Sequence, residues 1–321
     1  MRIEPPWFCS LPLVDAVTDT FPRWTTRTAL LLFLMIGAGG CAGTAPTTES
    51  SAQPPPATAQ AELQHQSLNA TLWVQQSAEY DALVRQTYVQ AAQQLPALLE
   101  DSTLTAAIEQ NQQMRVGAYA DLPPAVILDV DETVLDNSAY QARLILDDET
   151  YDTASWNAWC RERMATAVPG ALRFVEHATN AGVAVFYLTN RRNVVRAATR
   201  DNLEALGFPV SEERLIMRGQ REAWAASDKA PRREHIMQSH RIVMQIGDNL
   251  GDFLSEVETT LDERERMSAT HRGFWGTRWF MLPNPQYGSW EGALFDYDYS
   301  LSPEEQLQRK RDRLVPARSE E

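Results

Sequence analysis

The chain of 321 residues contains almost no lysine: of its 29 basic residues only Lys229 and Lys310 are lysine, and the rest are arginine. Positive charge is scarce altogether, with 43 acidic residues and a net charge of −14. Phosphate-backbone binding rests on neutralisation by Lys and Arg, so a non-specific nucleic-acid binder is excluded. A protein this anionic that handles phosphate must reverse its own field locally. No apolar run reaches the roughly 20 residues that a membrane-spanning helix needs. The longest, Ala29 to Ile36, is preceded by Arg23 and Arg27 and followed by small residues from Gly37 to Gly40. A basic flank, a short apolar core and a small-residue end make residues 1–40 a secretory signal. The five histidines show no metal-ligand spacing, and there is no C-x-x-C-H haem attachment sequence. Apolar residues at 44 % and charged residues at 22 % are ordinary for a globular protein and exclude wholesale disorder.

Cysteine is scarce too, with Cys9, Cys41 and Cys160. Cys41 directly follows Ala38-Gly39-Gly40, a stretch that resembles a bacterial lipobox, in which the cysteine is acylated and becomes the new first residue. Cys9 would leave with the signal and Cys41 would carry lipid, so Cys160 stands alone and no internal disulfide is expected. Residues 42–60 are rich in Ala, Thr, Ser, Gln and Pro and carry one charge, Glu49. Such a composition buries no core and reads, with Cys41, as a flexible tether over 41–60. The expectation is a protein secreted across the inner membrane, periplasmic or an outer-membrane lipoprotein, that meets the membrane through a lipid anchor only.

Residues 61–300 form the folded part. In its first stretch, a helical extension over 61–120, Trp73, Tyr80, Leu83, Val84, Tyr88 and Ala91 recur at helical spacing and mark one face. Pro96 ends that helix or starts a new one. After Pro123-Pro124 the pattern changes. Apolar runs at 125–129, 183–188, 215–217, 242–246 and 279–282 read as buried strands. Helix-like stretches at 170–181, 193–206 and 232–239 lie between them, with Gly182 and Gly207 at helix stops. Strands alternating with helices predict an α/β fold, a doubly wound parallel sheet with helices on both faces. Residues 301–321 read as a polar tail, a solvated helix without a site.

Ligands of such sheets bind at the carboxyl ends of the strands. Here the first strand runs into Asp129-Val130-Asp131-Glu132-Thr133, the second into Thr189-Asn190-Arg191, and the fourth into Gly247-Asp248-Asn249-Leu250-Gly251-Asp252. Lys229 precedes the helix that leads to the fourth strand. Carboxylates gathered there lose solvation and repel each other, which a bound divalent cation would resolve. Asp-x-Asp alone could open a calcium loop, but such a loop needs glycine at its sixth position, where Val134 stands. In so arginine-rich a chain, a lysine at the site suggests a place where a compact ammonium is required and a planar guanidinium would not fit.

These clusters, in this order, resemble the haloacid dehalogenase superfamily of phosphohydrolases. The resemblance implies Asp129 as a nucleophile that forms an aspartyl-phosphate, and Asp131 as the acid and base. It implies Mg²⁺ bound by Asp129, the Asp131 backbone carbonyl and Asp248. Thr189, Asn190 and Lys229 would hold the phosphoryl oxygens, and Asp252 would orient Lys229 or metal-bound water; Lys229, Mg²⁺ and Arg191 would offset the chain's negative charge locally. The blocks Trp73 to Tyr80 (WVQQSAEY), Asp129 to Tyr140, Val168-Pro169-Gly170, Thr189 to Arg192, Pro283 to Gly288 and Trp290-Glu291-Gly292 narrow the resemblance to the class C (subfamily IIIB) acid phosphatases. It covers roughly 70–300. That family consists of bacterial lipoprotein phosphatases and 5′-nucleotidases. It implies a secreted, lipid-anchored phosphomonoesterase that often favours nucleoside 5′-monophosphates, with a small cap near 136–168. Trp156 and Trp159 fall in that cap and Tyr287 past the last strand. They either stack a nucleobase or belong to the core. Phosphotransfer to an alcohol on the same site, and a non-catalytic surface binding protein on this fold, remain as alternatives. The oligomeric state is open.

Overall fold

The computed structural model describes residues 66–317, so the signal (1–40), Cys41 with the whole tether (41–60) and residues 61–65 lie outside the described residues. The first helix, α1 (Leu68–Gln76), is separated from α2 (Ala78–Glu100) by a single residue, Ser77. Ser77 has extended backbone, its hydroxyl accepts from the Tyr80 N–H at 3.1 Å, and it donates to the Trp73 carbonyl at 2.6 Å. One side chain thus caps two helix ends. Tyr80, Val84, Tyr88, Ala91, Leu95 and Leu98 form the buried stripe of α2. Two details differ from the sequence expectation. Leu83 lies beside the stripe rather than on it and is 42 % exposed, and Trp73 is only half-buried. Pro96 sits inside α2, which continues through it to Glu100. A proline removes one helical N–H donor, but buried Leu95 and Leu98 on either side hold that last turn in place.

Two short helices, α3 (Ile108–Gln113) and α4 (Val116–Tyr119), lead to β1 (Pro124–Leu128). An insertion follows: β2 (Leu135–Asp136), α5 (Ser138–Leu146), α6 (Thr153–Glu162) and β3 (Thr166–Ala167). Its base is closed by antiparallel pairing of Leu135 with Ala167 and Asp136 with Thr166. This segment occupies the place predicted for the cap. The chain then runs α7 (Ala171–Asn180), β4 (Ala184–Arg192), α8 (Arg196–Ala205), β5 (Leu215–Arg218), α9 (Ala230–Met237), β6 (Arg241–Gly247), α10 (Leu261–Thr270), β7 (Trp279–Met281), α11 (Ser289–Gly292) and α12 (Pro303–Asp312). Gly182 and Gly207 have φ of 77° and 89° and follow α7 and α8, conformations that favour glycine.

Five strands form one parallel sheet in the order β5-β4-β1-β6-β7. This is the doubly wound α/β architecture read from the sequence. Both faces are covered, which explains strands that are apolar without alternation. Val126, Leu128, Val185, Tyr187 and Ile246 join one cluster with the α2 stripe and with Phe174 of α7. Ala125, Ile127, Phe186, Leu188 and Trp279 join the other, with Ile236 and Met237 of α9. Successive residues point to opposite faces, as the strand period requires.

The tail is more than a solvated helix. The Lys310 ammonium pairs with Glu291 at 2.6 Å and donates to the Gln66 side chain at 2.6 Å, tying α12 to α11 and to the start of the described chain. No described helix is long and apolar enough to cross a membrane. The stripe geometry sets a contrast. Leu95→Ala should cost about 2–5 kcal/mol in urea unfolding, whereas Leu83→Ala should stay within about 0.5 kcal/mol. Equal costs would contradict the assigned face.

Candidate active site

Strand register brings the polar clusters together. Leu128 of β1 lies beside Tyr187 of β4 and Ile246 of β6. Asp129, Thr189 and Asp248 therefore leave the sheet at one edge. The Asp129 N–H donates to the Ile246 carbonyl at 3.0 Å, extending the sheet by one residue. The loop after Asp129 is tight: the N–H groups of Val134 and Leu135 both donate to the Val130 carbonyl, at 2.9 and 2.8 Å. Within it Glu132 has φ 55°, a left-handed conformation uncommon for glutamate. From behind, the buried Tyr88 hydroxyl of α2 donates to the Thr133 carbonyl at 2.6 Å. The N-terminal helices thus brace the loop that carries the acidic residues.

One group of side chains surrounds Lys229, which is 4 % exposed. Its ammonium donates to Asp129 and, at 2.7 Å, to Asp252. Asp129, Asp248 and Asp252 each offer an oxygen within 4.8 Å of the others. Burial pushes the Asp129 carboxyl up to about 7, against the pull of Lys229. Burial and the charges of Asp252 and Asp129 push Asp248 well above the carboxylate range. Burial and the charges of Asp131 and Asp248 do the same to Glu132. Burial disfavours the charge on Lys229 too, but its two carboxylate partners hold it above its ordinary value. One ammonium does not balance four neighbouring carboxylates, and an all-oxygen donor set is what a hard divalent cation takes. The residues fit such an ion. Asp252 is engaged by Lys229 and, through its second oxygen, by the Asn249 N–H at 2.8 Å. Asp129 and Asp248 are left as the carboxylates for a cation. Asp248 is steadied by the Thr133 hydroxyl at 3.2 Å and the Asn284 amide at 2.9 Å.

A second group surrounds Asp131. Its Oδ1 accepts from Arg191 Nε at 2.8 Å and from Asn137 Nδ2 at 3.0 Å. Among the described residues its Oδ2 meets only the Thr189 hydroxyl, at 3.4 Å. Thr189 is buried and accepts the Arg191 N–H at 2.9 Å. Asn190 is exposed, and its side-chain oxygen accepts from Arg232 at 2.6 Å. Arg232 also donates to the Thr189 carbonyl at 2.7 Å. The pairing of β4 with β5 shifts register between Thr189 and Arg192 and resumes at Arg192 with Arg218, an irregularity of the kind found beside active sites.

The aromatic residues separate. Trp159 is 2 % exposed, and its indole N–H donates to Asn137 Oδ1 at 2.8 Å. Burial leaves no ring face for a nucleobase, so the stacking role expected for Trp159 is corrected to a structural one. Trp156 is half-buried, 5.1 Å from the Tyr140 ring, with Arg191 5.5 Å above it. Tyr287 is half-buried and its hydroxyl donates to Glu132. Cys41 lies outside the described residues. Sequence reasoning missed Glu132, Asn137, Arg232 and Asn284. Glu132 and Asn137 stand inside the Asp129–Tyr140 block, but their partners are set by the loop's fold. Nothing in the sequence ties Arg232 to Thr189.

The family model described as HAD superfamily, subfamily IIIB (Acid phosphatase) matches residues 36–290. Among solved structures, the class C acid phosphatase from Bacillus anthracis is similar, with a TM-score of 0.69 and 32 % identity, covering 80 % of this chain and 100 % of that one. Among curated proteins, acid phosphatase 1 of Solanum lycopersicum is 30 % identical over 164 residues, 50 % of this chain. Vegetative storage protein 2 of Arabidopsis thaliana is 24 % identical over 163 residues, again 50 % of this chain. The chain spans 57 % and 55 % of the length of those two plant relatives.

Gly247 sits where backbone and carboxylate meet: a Cβ there would lie 2.5 Å from the Asp252 Cγ. Gly247→Ala should displace Asp252 from Lys229 and cost about 1–3 kcal/mol of stability through overpacking. A thermal midpoint equal to that of the parent protein would refute the close approach.

Proposed function

The chain belongs to the acid phosphatases of subfamily IIIB of the HAD superfamily, and we propose that it hydrolyses phosphomonoesters through a phosphoenzyme formed on Asp129. The observation that carries this reading is the convergence of Asp129, Asp248 and Asp252 on one buried lysine at the carboxyl edge of a parallel sheet. A divalent cation, proposed to be Mg²⁺ and held by the carboxylates of Asp129 and Asp248 and the Asp131 carbonyl, would supply charge neutralisation for the phosphoryl group.

The chain's own residues account for the rest. The Asp129 carboxylate attacks phosphorus in line, and the bond to the leaving oxygen breaks. Asp131 gives its proton to that oxygen. Water then attacks the phosphorus of the aspartyl-phosphate and passes a proton to Asp131, so inorganic phosphate leaves and both carboxyl groups are restored. Lys229, fixed by Asp252, balances charge on the phosphoryl oxygens beside Asp129. The Thr189 hydroxyl and the Asn190 amide, successive residues of β4, are proposed to receive the remaining oxygens. Arg232 fixes the backbone between them.

Nucleoside 5′-monophosphates are the proposed substrate class. Trp156 and Tyr287 support it as half-exposed rings near the site. The proposed setting is extracytoplasmic, with Cys41 lipidated and the chain held at the membrane by that anchor; loss of acyl labelling in Cys41→Ser tests it. The storage-protein relative is a reminder that a chain similar to this one carries a name without an activity. Asp129 and Asp131 are both present here, as turnover requires.

Three outcomes are expected of the purified protein. It should hydrolyse AMP and p-nitrophenyl phosphate with Mg²⁺, lose turnover in EDTA, and lose it in Asp129→Asn. Full activity in Asp129→Asn would refute the nucleophile, and none in the folded parent would refute the phosphatase reading. Mg²⁺ at a hundredfold excess over its Kd should stabilise the protein by about 2.7 kcal/mol, and Asp248→Asn should abolish that shift. Trp156→Ala should raise KM for AMP more than for p-nitrophenyl phosphate. Equal effects would remove the stacking role.

A further inference from the structure

Asp129 and Asp131 are only two residues apart but are held by different parts of the molecule. Asp129 answers to the sheet and to Lys229. Asp131 answers to Asn137 and Arg191, and these two answer to the cap. Asn137 Oδ1 accepts both the Trp159 indole N–H at 2.8 Å and Arg191 Nη2 at 3.0 Å. Its amide nitrogen is thereby turned toward Asp131 Oδ1, 3.0 Å away. Asn137 is fully buried, as are Arg191 and Trp159. Arg191 is further held by the Thr199 hydroxyl of α8 at 3.3 Å. None of the three side chains has freedom to reorient without leaving a buried polar group unpaired, which is costly.

We propose that Trp159, Asn137 and Arg191 are positioning residues for proton transfer by Asp131, with Trp159 as the link through which the cap sets the orientation of that carboxyl group. The proposal rests on the phosphatase reading above. All the close donors of the clamp meet Oδ1. Oδ2 is left with the one long contact to Thr189, and it is the oxygen able to carry a proton and deliver it. A carboxyl group free to rotate would present Oδ1 and Oδ2 alike and spend little time aligned with the leaving oxygen. Trp159 touches no reacting atom. It acts by fixing the amide of Asn137, whose flipped form would place its oxygen against the Asp131 carboxylate.

The reaction itself supplies a readout that a merely structural role would not move. An alkoxide leaving group needs the proton, whereas p-nitrophenolate leaves without it. The value of kcat/KM reports only steps up to formation of the phosphoenzyme, so it isolates Asp131 as acid from its later role as base. With Mg²⁺ present, Trp159→Phe keeps an aromatic ring, though a smaller one, and removes the N–H donor. It should lower kcat/KM for glycerol phosphate by about tenfold, and Asn137→Ala by about a hundredfold, within the range that general acid catalysis supplies. For p-nitrophenyl phosphate both variants should stay within about threefold of the parent. Across a series of phenyl phosphates, log kcat/KM should fall more steeply with leaving-group pKa in the variants. Parallel losses on all substrates, or no loss on the alkyl phosphate, would overturn the proposal while leaving the phosphatase reading intact. Absence of turnover in the parent would instead overturn that reading, and this inference with it. If Asn137→Ala does not fold, Trp159→Phe still decides the matter.

Discussion

The structure is organised around crowded negative charge. Asp129, Asp131, Glu132, Asp248 and Asp252 meet at one edge of a sheet, in a chain that already carries a net charge of −14. Breaking a buried ion pair costs several kcal/mol because the remaining charge stays uncompensated. The counter-charges are therefore placed with care. Lys229 stands inside the acidic cluster, and Arg191 is bound to Asp131. Behind Asp252 lies Arg233, which donates to its carbonyl at 3.2 Å and pairs with Glu109. Arg232 is directed at carbonyls rather than carboxylates, and burial pushes it down to about 10. The planar guanidinium suits these forked contacts, and the compact ammonium suits the narrow gap between Asp129 and Asp252. The choice of basic residue at each place follows from the shape of its acceptor.

That cluster also explains why segments remote in sequence are needed. A loop of five residues that holds acidic side chains toward one another is not stable by itself. Here it is closed by its own backbone bonds, by Tyr88 from α2, and by the loop after β7, which sends Asn284 to Asp248 and Tyr287 to Glu132. Gly288, with φ 147°, allows that loop to approach: a Cβ there would lie 2.9 Å from the Asn249 amide. The N-terminal helices and the segment after β7 are parts of the site's support. They belong to it as much as the strands do.

The strands and the parallel sheet were legible because they rest on local signals, whereas the order of the strands across the sheet was not read. Runs such as Ala125 to Leu128 and Ile242 to Ile246 are apolar throughout, and their ends are marked by polar residues. The positions of Asp129, Thr189, Lys229, Asp248 and Asp252 follow from strand ends, so their meeting was legible too. What was not legible depends on three-dimensional pairing. The Arg191 contact with Asp131 spans 60 residues of sequence and the Arg232 contact with Asn190 spans 42. Aromatic identity could not decide at Trp159: a tryptophan with an apolar ring and one N–H donor satisfies a buried amide as readily as it stacks on a ligand. At Leu83 the helical spacing tolerated two faces, and the protein buries the one centred on Val84. Pro96 shows tertiary packing overriding a local rule.

The different anchoring of Asp129 and Asp131 suits the tasks proposed for them. A nucleophile must be held at one place relative to the phosphorus, and the central strand of the sheet is paired on both sides and covered on both faces. Asp129 therefore continues β1, with its N–H in the ladder to Ile246. A proton donor must instead match the leaving group, whose position is set by the part of the substrate that faces the cap. Tying Asp131 through Asn137 to Trp159 of α6 refers its orientation to the element that would border the leaving group in the proposed reaction. Trp156, three residues earlier on α6, lies beneath Arg191 from that same helix. A displacement of α6 would therefore move the acid and the leaving-group side of the site together, while the nucleophile stayed with the sheet. Two carboxylates separated by one valine can in this way obey two different frames of reference.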